Sequence, residues 1–423
     1  MNKLDLKKYY ILIFYLIGLV NWFFKLDLLY LISLLIFTGF ITYKNIDRRL
    51  LIPIIIAVPF MHYNPDFSVL SIIIGLIIAV ILVLDIIKYQ MYTINNIIKA
   101  MFIILVLMMF SLFYTISFEL SMLGISKFLI YTVLLVYFYN IKSDKKDIII
   151  NSFIYISFII VLQIFIYFIT NLQFDFLENL SKLTLGWGSY NVISYFFLST
   201  IILSSIKYIQ TYKNRYLILI FLMISFSILT LTKGTYIAIV IISVPYLMNM
   251  YNDSKKNPYL VKQFILYVII ALLFRLFVSN PLGITLNWYD RIGRGSVSQD
   301  GIDVLLSLGL DVVKMSPIVG LGANISSLFI SNVYFIYDPN YFPNFIIQTM
   351  ATLGLIGLCG VGYYLFAVIK TLLKKSCYNK YVLLIFLVII IQSLFDTSIF
   401  SGIVMITLSI LLSNVEEEKK GVA

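Results

Sequence analysis

Long apolar segments recur along the whole chain, and short polar or charged stretches separate them. A helix needs roughly 17–25 mostly apolar residues to cross the hydrocarbon core of a bilayer, and most of these segments approach that length. They lack the strict apolar–polar alternation of a transmembrane barrel. The pattern predicts an all-α, polytopic transmembrane helix bundle of 12–14 spans. The fourteen predicted spans are 9–24, 28–43, 50–60, 67–87, 100–118, 124–141, 148–170, 190–206, 216–232, 235–250, 263–279, 344–369, 381–395 and 398–413.

Two parts of this pattern leave the number of spans open. The segment 50–60 is too short to cross alone and contains Pro53 and Pro59, so it can also be re-entrant or tilted. The last two segments can also be read as a single helix that is kinked near Asp396.

Composition excludes a water-soluble protein. Of the 423 residues, 61% are hydrophobic and only 12% are charged, whereas a soluble domain carries about a quarter charged residues. Only Cys359, Cys377 and His62 offer thiol or imidazole groups, so neither a disulfide framework nor a multi-histidine metal site is expected.

Basic residues predict the orientation of the bundle. The net charge is +11, but the basic residues lie between spans, which favours a role in topology over nucleic-acid binding. With the N-terminus inside, 23 of the 31 lysines and arginines fall on the cytoplasmic side, as the positive-inside rule expects. Both termini are therefore predicted to be cytoplasmic, and the first apolar run is interpreted as a retained span because no small-residue cleavage site follows it. The eight cations on the other side are Lys25, Lys127, Lys182, Lys233, Arg275, Arg291, Arg294 and Lys314.

The longest connection divides the chain into three regions: spans 1–11 in residues 1–279, a large extracytoplasmic loop at 280–343, and the last spans with a short tail at 344–423. A structureless loop of that length is uncommon. Apolar residues recur at helical spacing within it, which predicts an amphipathic helix over 301–315, capped at Asp300 and ended by Ser316-Pro317. The apolar positions are Ile302, Leu305, Leu306 and Val313, and the polar ones are Asp303, Ser307 and Asp311.

The outward-facing cations are the candidates for chemistry, because an ionisable group near a membrane interior is costly. Lys233 lies between two spans and precedes a glycine, so it can enter an external cavity or extend to the interface. Arg291 and Arg294 suit a diphosphate, since a guanidinium binds phosphate oxygens in pairs. The alternative is that they pair with Asp290 or with lipid headgroups in a solvated loop. The glycine-rich stretch 314–322 is weak evidence for phosphate binding and more typical of a sharp turn.

Several motifs between residues 186 and 412 together resemble the superfamily of O-antigen ligases and O-antigen or capsular polysaccharide polymerases. The resembling segments are Gly-Trp-Gly-Ser-Tyr-Asn at 186–191, Leu-Thr-Lys-Gly at 231–234, Ser-Pro-Ile-Val-Gly-Leu-Gly at 316–322, Pro-Asn-Phe-Ile at 343–346 and Leu-Gly-Leu-Ile-Gly-Leu at 353–358. Three departures stand out. Pro343 replaces the family histidine, Lys233 replaces an arginine, and the arginine usual before the loop helix is absent around 299–301. The missing histidine favours a polymerase over a ligase.

The resemblance implies an inverting glycosyltransferase that needs no metal or other cofactor and acts at the outer face of the cytoplasmic membrane. It would polymerise repeat units of a capsule or O-antigen carried on undecaprenyl diphosphate or a similar polyprenyl diphosphate. A chain-length regulator and a flippase are the implied protein partners. The implied catalytic residues are Lys233, Arg291, Arg294 and Asn344, and the substrate-binding residues are Asp290, Trp187, Asn191, Asp338 and Asp396.

The general base stays open. Candidates are Asp290, Asp303, Asp338, Asp396 and His62. Outer aromatics can stack on sugars or form the interfacial belt, namely Trp187, Trp288, Tyr334, Tyr337 and Tyr341. Two rival functions also stay open: a ligase, which differs in its acceptor, and a flippase or transporter for the same lipid-linked oligosaccharide. Repeat-built transporters show internal repeats, and none is evident in this chain.

Overall fold

The computed structural model describes most of the chain. The described residues are 3–44, 46–57, 69–142, 144–170, 185–187, 190–229, 233–253, 269, 299–331, 341–374, 376–395 and 398–415. Every regular element in these ranges is helical, which confirms the predicted all-α class for this part of the chain.

Fifteen α-helices lie in the described ranges, and three short 3₁₀ turns accompany them. The helices are α1 Lys3–Phe24, α2 Asp27–Tyr43, α3 Leu51–Ile56, α4 Val69–Lys88, α5 Asn96–Phe110, α6 Phe118–Asn140, α7 Lys146–Thr170, α8 Tyr190–Thr211, α9 Asn214–Leu229, α10 Lys233–Asp253, α11 Gln299–Met315, α12 Ser326–Ser331, α13 Phe345–Leu372, α14 Cys377–Ser393 and α15 Gly402–Leu412. The 3₁₀ turns are Arg48–Leu50, Ser111–Phe113 and Ser398–Phe400.

Five segments of this set are long and apolar enough to cross a membrane, by length and composition. They are Asn96–Phe113, Phe118–Asn140, Lys146–Tyr167, Asn191–Thr211 and Phe345–Leu372. Six further apolar helices are shorter, at 10–17 residues. The chain therefore has the helices of an α-helical membrane protein.

Three of the less certain span predictions compare differently with the structure: the segment 50–60, the final pair of spans, and the segment 263–279. Within 50–60, α3 occupies Leu51–Ile56 and all six of its residues are buried, so this segment is a short internal helix. The final two spans are separate helices, because a 3₁₀ turn lies between α14 and α15. The predicted span 263–279 lies outside the described residues, apart from one position.

Helix α8 lies at the centre of the bundle, where it contacts α7, α9, α10, α14 and α15. Its membrane-length window is 94% buried. The helix carries serines and a threonine on its buried surface, and such small polar residues allow close approach between membrane helices. Thr200, for example, shares a hydroxyl–hydroxyl hydrogen bond of 2.6 Å with Ser157 of α7.

Helix α11 is present where the amphipathic pattern predicts it, and it ends at Met315, directly before Ser316-Pro317. Leu305, Gly309 and Val312 form its buried face, at the spacing of successive helical turns. This face packs on α13. Asp311 and Lys314 lie on the exposed face and form an ion pair of 2.8 Å. The side chains of residues 299–303, including the predicted cap Asp300, lie outside the described set.

Two ion pairs that link different helices lie at one end of the bundle. Arg48 binds the carboxylate of Asp85 through Nε and a terminal nitrogen, at 2.7 and 3.2 Å, and Tyr137 donates a further hydrogen bond to Asp85 at 2.8 Å. At the same end, Lys207 pairs with Asp147. Asn191 lies 16 residues before Lys207 on α8, so the two ends are about 24 Å apart.

Candidate functional site

Three segments that are distant in sequence meet at the C-terminal end of α14, at the bundle end opposite the Arg48–Asp85 and Lys207–Asp147 ion pairs. We call Asn191, Thr235, Asn344 and Gln392 the polar junction. Gln392 donates from Nε2 to Thr235 Oγ1 at 3.2 Å, and Asn344 donates from Nδ2 to the carbonyl of Leu394 at 3.2 Å. Three of the resembling segments therefore come together here, those around 191, 234 and 344.

Gly234 permits the closest contact in the polar junction. A Cβ atom placed on Gly234 would lie 3.3 Å from the Cα atom of Gln392 and 3.7 Å from Oδ1 of Asn191. Such a distance is tighter than an ordinary contact, so a side chain here would push α10 away from α14. Lys233 is the first residue of α10 and directly precedes this glycine, so its Cα lies about 3.8 Å from that of Gly234. Its backbone thus borders the junction, while its side chain lies outside the described set.

Gln392 was not predicted from the sequence. It is fully buried, and its Oε1 atom has no hydrogen-bond donor among the described residues. A buried amide oxygen without a donor is energetically costly, at about 1–3 kcal/mol, unless a partner satisfies it. The signal in the sequence is a polar residue after the apolar run of 382–391.

Asn344 has a structural role in the described geometry. Its Oδ1 atom accepts hydrogen bonds from the backbone amides of Ile346 and Ile347, at 2.9 and 3.3 Å, which caps the N-terminus of α13. Since its amide nitrogen binds Leu394, both ends of the side chain are engaged. This geometry positions α13 against the end of α14, and a direct catalytic role for Asn344 stays a prediction.

The two glycine-rich motifs of the resemblance bind each other. Helix α13 is interrupted at Gly354, which has φ 65° and ψ −163°. Residues 317–322 run beside the interruption and satisfy the backbone groups that the helix leaves free there. Amides of Leu321 and Gly322 donate to the carbonyls of Ala351 and Thr352, at 3.0 and 2.9 Å. In return, amides of Leu355 and Ile356 donate to the carbonyls of Pro317 and Ile318, at 2.9 and 3.2 Å.

This pairing explains why glycine is needed at positions 320 and 354. A Cβ atom on Gly320, at φ 73°, would lie 2.4 Å from the backbone of Thr352, and one on Gly354 would lie 2.2 Å from the carbonyl oxygen of Ile318. The backbone amides of Leu321 and Gly322 are already bonded, so they do not offer a phosphate cradle. The alternative given by the sequence, a sharp turn, describes the segment correctly.

Trp187 and Tyr341 have different surroundings. The Trp187 ring is fully buried, packs edge-on against Phe196 and donates from Nε1 to Gln163 at 2.9 Å. Its ring therefore offers no exposed face to a sugar in this structure, and it acts as a packing residue. Tyr341 is partly buried, and its ring lies 6.3 Å from that of Phe400 at the mouth of a cavity.

That cavity lies between α5, α6, α13 and the segment around 323, and it is partly open. Most of its lining is apolar or aromatic. Lys127 of α6 is the one charged residue among the described residues that line it. The sequence showed Lys127 only as an outward-facing cation within a predicted span, although an ionisable residue in a span is itself a functional signal.

Many of the predicted site residues lie outside the part of the chain that the structure describes, and for two others only the backbone is described. These are Arg291, Arg294, Asp290, Asp338, Asp396, His62, Trp288, Tyr334 and Tyr337, together with the side chains of Lys233 and Asp303. The structure brings together Asn191, Asn344 and the backbone of Lys233, and it leaves the predicted diphosphate-binding cations as predictions.

The described fold and site define an all-helical protein with membrane-length helices, a polar junction at one end and an apolar cavity close to it. A comparison of the chain with models of known families finds no match, and a comparison with curated protein sequences finds no similar one. Function must therefore be argued from the polar junction and the resembling motifs.

Proposed function

We propose that this protein is a polysaccharide polymerase of the cytoplasmic membrane. It would transfer a growing glycan from a polyprenyl diphosphate onto a lipid-linked repeat unit at the outer face. In this proposal the bundle has 12–14 spans, both termini are cytoplasmic, and residues 280–343 form the large external loop. The bilayer and the lipid-linked oligosaccharide are its immediate partners, with a flippase and a chain-length regulator acting beside it.

One observation carries the proposal. Segments around 191, 234 and 344, each of which resembles a motif of the polymerase and ligase superfamily, converge on Gln392 and Leu394 although up to 153 residues separate them. Two further resembling segments, 316–322 and 353–358, are hydrogen-bonded to each other further along α13. Convergence of distant motifs at one end of the bundle is what a shared site requires, and it supports the proposal.

The proposed reaction is a single displacement with inversion. A hydroxyl oxygen of the acceptor sugar forms a bond to the anomeric carbon of the donor, and the bond from that carbon to the diphosphate oxygen breaks. The diphosphate leaves with the electron pair, and the hydroxyl proton passes to a base. Cations stabilise the charge that develops on the leaving group. Lys233, Arg291 and Arg294 are assigned to this task.

Polar residues of the junction would orient the sugars. Asn191 would contribute a polar contact to a sugar from the first turn of α8, and Gln392 would hold α10 against α14 through its hydrogen bond to Thr235. The general base stays unassigned. The candidates are Asp290, Asp303, Asp338, Asp396 and His62. A base near the acceptor hydroxyl typically contributes a factor of 10²–10⁴ in rate.

The test removes each cation in cells that lack the native gene. Lys233→Ala, Arg291→Ala and Arg294→Ala should each shorten or abolish the polysaccharide at normal protein level. Lys314→Ala is the matched control, because Lys314 is 76% exposed and pairs with the neighbouring Asp311 in α11. Full-length polymer from all three test variants would show that the diphosphate assignment is wrong.

The phenotype of the deletion separates the rival functions. Cells without a polymerase should display single repeat units at the outer surface, whereas cells without a flippase should retain them on the inner face. Cells without a ligase should make full-length chains that stay on the lipid carrier. Only the first result agrees with the proposal.

A further inference from the structure

Two aromatic rings lie at the part of the cavity that is closest to the polar junction. Tyr341 and Phe400 both line the cavity, with 6.3 Å between their ring centroids and 36° between the ring planes. Both side chains are partly exposed. Gln348 also lines this part, and its backbone amide donates to the carbonyl of Asn344 at 2.9 Å, so the rings lie about one helical turn from the junction. Such a pair of rings offers an extended surface on which the apolar C–H face of a sugar ring can pack.

Asn324 adds an amide group to the lining of the same cavity. Ser327 Oγ donates to its backbone carbonyl at 3.3 Å, but its side-chain amide forms no hydrogen bond with the residues that the structure describes. An amide offers a donor and an acceptor together, and two adjacent hydroxyl groups of a sugar can satisfy both. A hydrocarbon chain in the same place would leave the amide unsatisfied, which is costly away from water. The amide therefore favours a ligand that is rich in hydroxyl groups.

Gln348 connects the amide to the aromatic pair. Its Oε1 atom accepts from the backbone amide of Phe342, which directly follows Tyr341, at 2.9 Å. Its Nε2 atom donates to Ser326 Oγ, two residues after Asn324, at 3.0 Å. The fold itself therefore places the rings and the amide next to each other, and groups that are preorganised in this way lose little freedom when a ligand binds.

From this geometry we infer that Tyr341, Phe400 and Asn324 form a sugar-binding subsite. One sugar ring of the lipid-linked saccharide packs on the aromatic pair, and its hydroxyl groups bond to the amide of Asn324. The identity of the saccharide rests on the proposed function. A sugar bound here lies beside Asn344 and so beside the polar junction. Asn324 and Phe400 are binding residues in addition to those predicted from the sequence.

Saccharide binding by the purified full chain in detergent tests this inference. The probe is the oligosaccharide that mild acid releases from the lipid-linked pool of the same cells, and maltotriose is the unrelated control. Saturation-transfer NMR shows which sugar protons lie against the protein, and a titration of the same signals gives the dissociation constant. The parent chain should bind the oligosaccharide, with the strongest transfer to one ring, and should bind maltotriose much more weakly.

Asn324→Gly removes the amide without straining the backbone, because Asn324 has φ 59° and glycine adopts that conformation readily. The variant should bind the oligosaccharide about tenfold more weakly, and its melting temperature should stay close to that of the parent chain. Gln90→Gly is the matched control, since Gln90 also has a positive φ, of 51°, and is not among the described residues that line the cavity. Unchanged affinity in Asn324→Gly would overturn the inference.

A second variant tests the aromatic surface. Phe400→Leu keeps an apolar side chain but removes the ring, so binding should weaken about threefold to tenfold and transfer to the packed sugar ring should fall. Phe366→Leu is its control, because Phe366 is 60% exposed on α13 and is not among the described residues of the lining. Displacement of the oligosaccharide by a polyprenol that carries no sugar would assign this place to a hydrocarbon chain and contradict the subsite.

Polymer length in cells, measured in parallel, keeps the two proposals apart. Saccharide binding that depends on Asn324, in a protein whose deletion leaves the polymer unchanged, would retire the proposed function and leave the subsite. Loss of polymer on deletion, together with saccharide binding that ignores both Asn324 and Phe400, would retire the subsite alone.

Discussion

The interruption of α13 at Gly354 makes a strong prediction about stability. Its backbone lies in a region that is essentially restricted to glycine, so alanine there costs about 1–3 kcal/mol in strain. The new methyl group would also lie 2.2 Å from the carbonyl oxygen of Ile318 and displace the segment beside it. That displacement removes two hydrogen bonds to Pro317 and Ile318, each worth about 1 kcal/mol. Gly354→Ala should therefore destabilise the fold by about 3–5 kcal/mol.

Thermal unfolding of the purified protein in detergent measures the effect. Gly362→Ala is the matched control, because Gly362 is a helical residue of the same α13 and a Cβ there meets nothing within 4 Å. Alanine is favoured over glycine in a helix by up to about 1 kcal/mol, so the control should be neutral or stabilising. Equal melting temperatures for the two variants would refute the account of the interrupted helix.

Three further predictions concern other parts of the fold. Asp85→Asn should destabilise the protein by about 3–5 kcal/mol, because it leaves the charge of Arg48 buried without its partner, and replacing both residues by apolar ones should recover most of the loss on thermal unfolding. Burial lowers the pKa of the Lys145 ammonium from 10.5 to about 8. Between these pH values the unfolded chain binds more protons than the folded chain, so stability should rise with pH, and a rise that persists in Lys145→Met would contradict this cause. Gly234→Ala should reduce polymer formation by separating α10 from α14, whereas Gly39→Ala, where a Cβ meets nothing within 4 Å, should leave it intact.

The sequence predicted the elements whose pattern is local. Apolar length predicted the helices, and periodicity predicted α11 together with its end at Met315. The residues that the motifs emphasise, such as Asn191 and Asn344, do lie at the polar junction. These features follow from spacing along a single segment, which a sequence displays directly.

Features that depend on contact between distant segments could not be predicted. The interruption at Gly354 is stable only because residues 317–322 satisfy its backbone, and nothing in 353–358 alone requires that partner. Gln392 acquires its contact with Thr235, and Lys127 its place in the cavity lining, from neighbours on other helices. Trp187 illustrates the converse, since its place in an outer segment predicts a ring that stacks on sugars or joins the interfacial belt, whereas tertiary packing buries it.

The pairing of residues 317–322 with α13 also bears on how the chain enters a bilayer during its synthesis. A helix broken within hydrocarbon exposes unbonded amides and carbonyls, each of which costs several kcal/mol there. In this chain the segment that bonds them emerges from the ribosome before α13 does, since it ends 23 residues before Phe345. The partner is thus already made when the broken helix leaves the translocon, and moving the same segment downstream of α13 by circular permutation should impair insertion.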